Sequence, residues 1–162
     1  MTTNDFSFDQ LDKIDKQILE LLQENGKLTI KELAEKTKRS QTAVRVRIKN
    51  LEKNVIKKYT AVIDCQHLGY REMVLASIRV NTSQPLDQLK VEIDKITEIK
   101  YAYIITGEYP VFAMFKCLDH INAMSLIEKL RNLPGVEEIK TQIVLDRIKE
   151  DHSIIIPEIK EK

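Results

Sequence analysis

The hydrophobic repeat of this chain changes period near Asn54, and that change constrains the fold more than any single motif. Upstream, apolar residues recur at helical spacing; downstream, strand-like runs alternate with helical ones. Leu11, Ile14, Ile18, Leu19, Leu21 and Leu22 make one helical stripe, with Asp12, Lys13, Lys16, Gln17 and Glu20 on the other face. Asp9 or Asp12 is placed to cap its start, and Gly26 to stop it after Asn25. Ile30, Leu33 and Ala34 begin a second helix, and Thr29 with Glu32 has the spacing of a capping box. After a turn, Thr37-Lys38-Arg39-Ser40, Ser40 is placed to cap a third helix carrying Val44, Ile48 and Leu51. Asn54 supplies a left-handed end. Three helices, the last two joined by a tight polar turn, make a helix-turn-helix.

Residues 55–64 are rich in β-branched and aromatic side chains and read as a strand, and 66–71, containing Gly69, as a connection. The elements then become regular. A strand over 74–80 leads to a helix through Leu86, Leu89, Val91, Ile93 and Ile96, opened by Ser83-Gln84-Pro85. Strands over 101–106 and 111–118 flank the turn Gly107-Glu108-Tyr109-Pro110. Asp119 is placed to cap a helix through Met124, Ile127 and Leu130, closed by Pro134-Gly135, and residues 136–148 read as a long last strand. The order β-α-β-β-α-β is the ferredoxin-like, split βαβ arrangement, an α+β fold with both helices on one face of a four-stranded antiparallel sheet. Val111-Phe112-Ala113-Met114-Phe115 is apolar on both faces, so the helix-free side needs a cover; a second copy about a two-fold axis is the simplest. The expected division is a helix-turn-helix domain at 9–56, a strand linker at 57–71, the ferredoxin-like domain at 72–149 and a tail at 150–162. Ile154-Ile155-Ile156-Pro157 in that tail reads as a docked strand or a loose end.

Charge separates the two halves as sharply as periodicity does. Between Lys27 and Lys58 lie eleven Lys/Arg and three acids, a local balance of +8, whereas the remaining 15 basic and 22 acidic residues leave −7. Clustered cations bind DNA by releasing condensed counterions, although a solvated helical face has the same composition. In a helix-turn-helix the start of the third helix faces base edges in the major groove. Here that start is Gln41, Thr42 and Arg45, with Lys49 further along. Gln reads adenine and Arg reads guanine through paired hydrogen bonds. Lys38, Arg39 and Arg47 read as phosphate clamps, with Ser40 at the helix start. Two such helices on a dimer suit a palindrome, while a three-helix protein-interaction module is the other reading.

Several function classes lose support. No apolar run is long enough to span a bilayer, and the first residues lack a secretory pattern. Cys65 and Cys117 lack CxxC spacing and read as reduced thiols of a cytoplasmic protein. His67, His120 and His152 share no short spacing, so neither a metal nor a cofactor is expected. Neither a nucleophile–base pair nor a glycine-rich phosphate loop points to an enzyme.

The chain resembles the Lrp/AsnC family, the feast/famine regulators of bacteria and archaea. The likeness is carried by Leu11-Asp12 with Asp15, Ile18, Leu19 and Leu22, by Leu33-Ala34, Ser40, Val44, Arg47, Leu51-Glu52, Val55-Ile56 and Tyr59, and by Leu68-Gly69. Gly107-Glu108-Tyr109, Leu133-Pro134-Gly135-Val136 and Thr141 extend it, so that it spans 11–149. The resemblance implies a RAM or ACT-like second domain, and a homodimer that in many relatives assembles to tetramers or octamers. It implies binding to double-stranded promoter DNA, and an amino-acid effector held between sensor domains where dimers meet. On this chain the implied effector contacts are Gly107, Glu108, Tyr109 and Thr141, with Gln142 beside them. Pro110 stands where the family loop usually has an acid, which removes one carboxylate partner for a ligand ammonium. The alternative for the loop is a tight hairpin turn in which Tyr109 packs. An effector-independent architectural DNA binder and an enzyme like the family's siroheme-decarboxylase cousins are the alternatives for the whole chain.

Overall fold

A computed structural model describes residues 8–81 and 86–158. These residues form two compact units, one holding the chain up to Val62 together with residues from Asp151 on, the other holding 63–150.

The first unit is built on α1 (Lys13–Glu24), α2 (Ile30–Thr37) and α3 (Gln41–Asn54). Asp12, not Asp9, caps α1: its carboxylate accepts from the amides of Ile14 and Asp15, and Asp15 returns a bond to the Asp12 amide. The Thr29–Glu32 capping box closes at 2.7 and 3.2 Å, and the Ser40 hydroxyl accepts from the Ala43 amide at 3.2 Å. The left-handed residue is Lys38 (φ 54°, ψ 44°), which ends α2, whereas Asn54 remains helical. The reason is hydrogen bonding: with Lys38 turned, its amide and that of Arg39 reach back to the carbonyls of Glu35 and Ala34. The Asn54 side chain instead donates to the Asn50 carbonyl, one turn back. Ile18, Leu33, Val44 and Leu51 are fully buried at the centre. Ile156 joins them, anchored by reciprocal bonds between Gln23 and the Ile154 backbone at 2.7 and 3.0 Å. The tail therefore docks, through the Ile156 side chain, the Ile154 backbone and a Glu158–Lys16 ion pair at 2.9 Å, with no strand pairing.

The second unit is a sheet of β1 (Glu72–Val80), β2 (Ile99–Ile104), β3 (Val111–Cys117) and β4 (Val136–Ile143) in the order β2-β3-β1-β4, all neighbours antiparallel. Helices α4 (Leu86–Asp94) and α5 (His120–Arg131) pack on one face, with Asp119 capping α5 through the Asn122 amide. Residues 111, 113, 115 and 117 are buried with Val74, Ala76 and Ile78 against Leu89, Ile93, Leu126 and Leu130. The other face carries Leu75, Tyr101, Tyr103, Phe112, Met114, Lys140 and Gln142, with Tyr103 stacked between Tyr101 (6.3 Å) and Phe112 (6.5 Å). Val91 lies on the solvent side of α4, away from the expected apolar stripe. Ser83, Gln84 and Pro85 lie outside the described residues.

Two expected strands differ. Residues 56–64 make no strand pairing, although β2 and β4 each keep one free edge; Tyr59, Val62 and Ile63 are exposed. The last strand stops at Ile143, near the start of β1; Val144 makes the final bond, to the Met73 carbonyl. Among the described residues no helix is long and apolar enough to cross a membrane.

Candidate nucleic-acid interface and effector loop

The groove-facing side of α3 follows from which side is buried. Val44, Ile48 and Leu51 face the bundle, so Gln41, Thr42, Arg45 and Lys49 are left exposed, with Lys38, Arg39 and Ser40 exposed just before them. Lys38, Arg39, Arg45 and Lys49 make no ion pair among the described residues. With no acidic partner among the described residues, these four cations are available to anions. Ser40 spends its acceptor on the helix cap, leaving its hydroxyl proton free to donate.

Arg47 departs from the expected phosphate clamp. Its guanidinium bridges Asp12 (2.7 Å) and Asp15 (2.8 Å) across the start of α1. Burial works against its charge, but the hydrogen bonds it donates to both carboxylates outweigh that and hold its pKa above the usual value. Burial likewise pushes Asp12 up, and the Asp15 amide and Arg47 pull it below the usual carboxylate range. Arg47 thus ties α3 to α1. Helical spacing carried the signal: Arg47 sits beside Val44, Ile48 and Leu51 on the wheel, at the core's edge.

In the sheet unit the loop Gly107–Pro110 leans toward β1 and β4. Gly107 has φ +121°, a conformation L side chains rarely adopt. Glu108 pairs with Arg79 at 3.1 Å, and Arg79 also meets Glu138 (2.7 Å) and Glu137 (3.6 Å). The Lys140 ammonium lies 4.2 Å from the centre of the Tyr109 ring, and its hydrogen bond with Tyr109 raises the Lys140 pKa. An open groove of about 660 Å³ runs beside the loop, lined by Arg79, Asn81, Gly107, Glu108, Pro110 and Glu137. The expected effector residues do not all converge there. Gln142 shares the helix-free face with Lys140, whereas Thr141 pairs with Ala76 and projects from the opposite face. Sequence reading missed Arg79 and Lys140; their signal, two cations among Glu108, Glu137 and Glu138, appears only once the strands are paired. Among the described residues no three His, Cys, Asp or Glu side chains gather to hold a metal.

Residues 11–54 match the family described as winged helix-turn-helix DNA-binding, and 73–154 match the Lrp/AsnC ligand binding domain. The chain is 32% identical over 141 residues to HTH-type transcriptional regulator FL11 of Pyrococcus horikoshii, covering 86% of this chain and 93% of that protein. It is 28% identical over 150 residues to the Leucine-responsive regulatory protein of Escherichia coli, covering 90% and 92%. Among solved structures, a Neisseria meningitidis transcriptional regulator in complex with L-Met superposes with a TM-score of 0.85 at 25% identity, covering 90% of this chain and 96% of that one.

Proposed function

We propose, from the premise that the chain belongs to the Lrp/AsnC family of transcriptional regulators, that it works in the cytoplasm as a homodimer. In that reading its paired third helices read a palindromic operator, and its sheet domain makes binding respond to an amino acid. The observation that carries the DNA side is the set of cations Lys38, Arg39, Arg45 and Lys49, in the turn before α3 and along its exposed side, which make no ion pair among the described residues. Arg45 and Gln41 are assigned base edges; Lys38, Arg39 and Lys49 hold phosphates. Arg45→Ala is expected to weaken the cognate site by about 1–3 kcal/mol and to relax base preference there, measured by titration of cognate and scrambled duplexes. Unchanged affinity and selectivity would remove Arg45 from the groove.

The dimer rests on the aromatic, helix-free sheet face, which a second copy covers without exposing new apolar surface. The effector is assigned to the groove beside Gly107, Glu108 and Tyr109, with Gln142 on the adjoining face and Thr141 behind it. Relatives named for leucine response and for an L-Met complex support an amino acid as its class. The backbone at Gly107 suits a carboxylate, and Glu108 an ammonium once it leaves Arg79. Calorimetry with each amino acid on wild type, Glu108→Gln and Thr141→Ala tests this. Heat lost only in Glu108→Gln fits the loop groove, and heat lost only in Thr141→Ala moves the site to the helix side of β4. No heat in wild type favours an architectural, effector-independent binder.

A further inference from the structure

One residue of α3 has no part in the fold and no polar group to offer phosphate: Val46, 64% exposed. Its neighbours show why this matters. At ~100° per residue, the direction opposite Val44, Ile48 and Leu51 falls within about 30° of Thr42, Val46 and Lys53, with Val46 and Lys53 nearest. Val46 therefore lies on the outward centre line of the helix, in its first two turns, where base edges are met. Every other fully exposed residue of α3 is polar: Gln41, Thr42, Arg45, Lys49, Asn50, Glu52 and Lys53. A β-branched residue at an exposed helical position is slightly worse for the helix than Lys, Arg or Gln. The bundle core is closed without it, with Val44 and Leu51 fully buried beneath. Neither helix propensity nor core packing calls for a valine there.

The major groove offers one apolar feature along its floor, the C5-methyl of thymine. We propose that Val46 is a specificity-determining residue that packs its methyl groups against a thymine methyl, with the Thr42 methyl one turn nearer the helix start. This rests on the reading of α3 as the groove helix and adds to it. Arg45 and Gln41 read hydrogen-bonding edges, and Val46 selects thymine over cytosine, which has no methyl at that position. Because valine forms no hydrogen bond, its contribution is insensitive to the salt that governs the phosphate contacts.

The test uses the full chain and duplexes it selects from a randomised library. In the tightest-binding duplex each thymine is replaced in turn by uracil, which removes the methyl and nothing else. Wild type is expected to lose about three- to tenfold in affinity at one or two thymines. Val46→Ala should bind the parent duplex with the same loss, ignore uracil at those thymines, and keep its salt slope on random DNA. Val46→Ile, which keeps a branched apolar surface, should retain the uracil sensitivity. If Val46→Ala binds the parent as wild type does and shows the same uracil pattern, the proposal falls while groove binding stands. If it instead alters self-association with DNA binding untouched, Val46 belongs to a protein contact and the proposal falls. If no sequence is enriched from the library, the sequence-reading function falls with it.

Discussion

The helical unit and the sheet unit solve the same problem, covering apolar surface, in opposite ways. In the bundle three helices and the side chain of Ile156 close around Ile18, Leu33, Val44 and Leu51, and the outward sides are mostly polar. In the sheet unit α4 and α5 cover one face only, and the other presents Tyr101, Tyr103, Phe112 and Met114. The bundle closes its own core, whereas among the described residues nothing covers the second face of the sheet. The proposed function divides along the same line, with charged readout assigned to the closed unit and association to the open one.

Crossed core substitutions give the largest expected effects and break the comparison if the two cores are not separate. Phe115→Ala empties the centre of the sheet core and should cost about 3–5 kcal/mol. Its amide-exchange protection should fall in β1 and β3 before α1–α3. Ile156→Ala, at about 2–5 kcal/mol, should do the reverse. Protection lost in the sheet rather than the helices on Ile156→Ala would show that the tail does not belong to the bundle core. On the open face, Phe112→Asp places a charge where a second copy would bury an aromatic. It should weaken self-association by about 2 kcal/mol or more in sedimentation, while the monomer's circular dichroism stays the same. An unchanged dimer would put the interface elsewhere. The smallest effect sharpens the contrast within the bundle itself. Lys38 holds a left-handed conformation at φ 54°, so Lys38→Gly should stabilise the protein by about 1 kcal/mol in denaturant titrations. The same change should weaken cognate and random DNA alike, because it removes a phosphate contact and no base reader. Stabilisation without loss of DNA binding would remove Lys38 from the interface.

Local chemistry was legible wherever one segment supplies both partners. Thr29 and Glu32, Ser40, and Asp119 cap helices as their spacing indicates, because the donor and acceptor lie within four residues of each other. Val111–Phe115 reads as apolar on both faces, and only the structure shows that 111, 113 and 115 are the side buried under the helices. Residues 56–64 misled for the converse reason. β-branched composition reports a willingness to be a strand, but a strand also needs a partner, and residues 56–64 pair with neither free edge of the sheet.

Sequence alone therefore determined the order of elements outside residues 55–64, the two folds, the basic helix-turn-helix and the family likeness, all of which follow from short-range periodicity, capping and charge. Tertiary structure decided what depends on residues distant in the chain. It drew Arg47 onto Asp12 and Asp15, seated Ile156 in a core formed by α1–α3, and gathered Arg79 and Lys140 about Glu108 and Tyr109. The physical reason is the same in each case: a side chain's partner is set by which elements pack together, and one-dimensional spacing does not contain that distance.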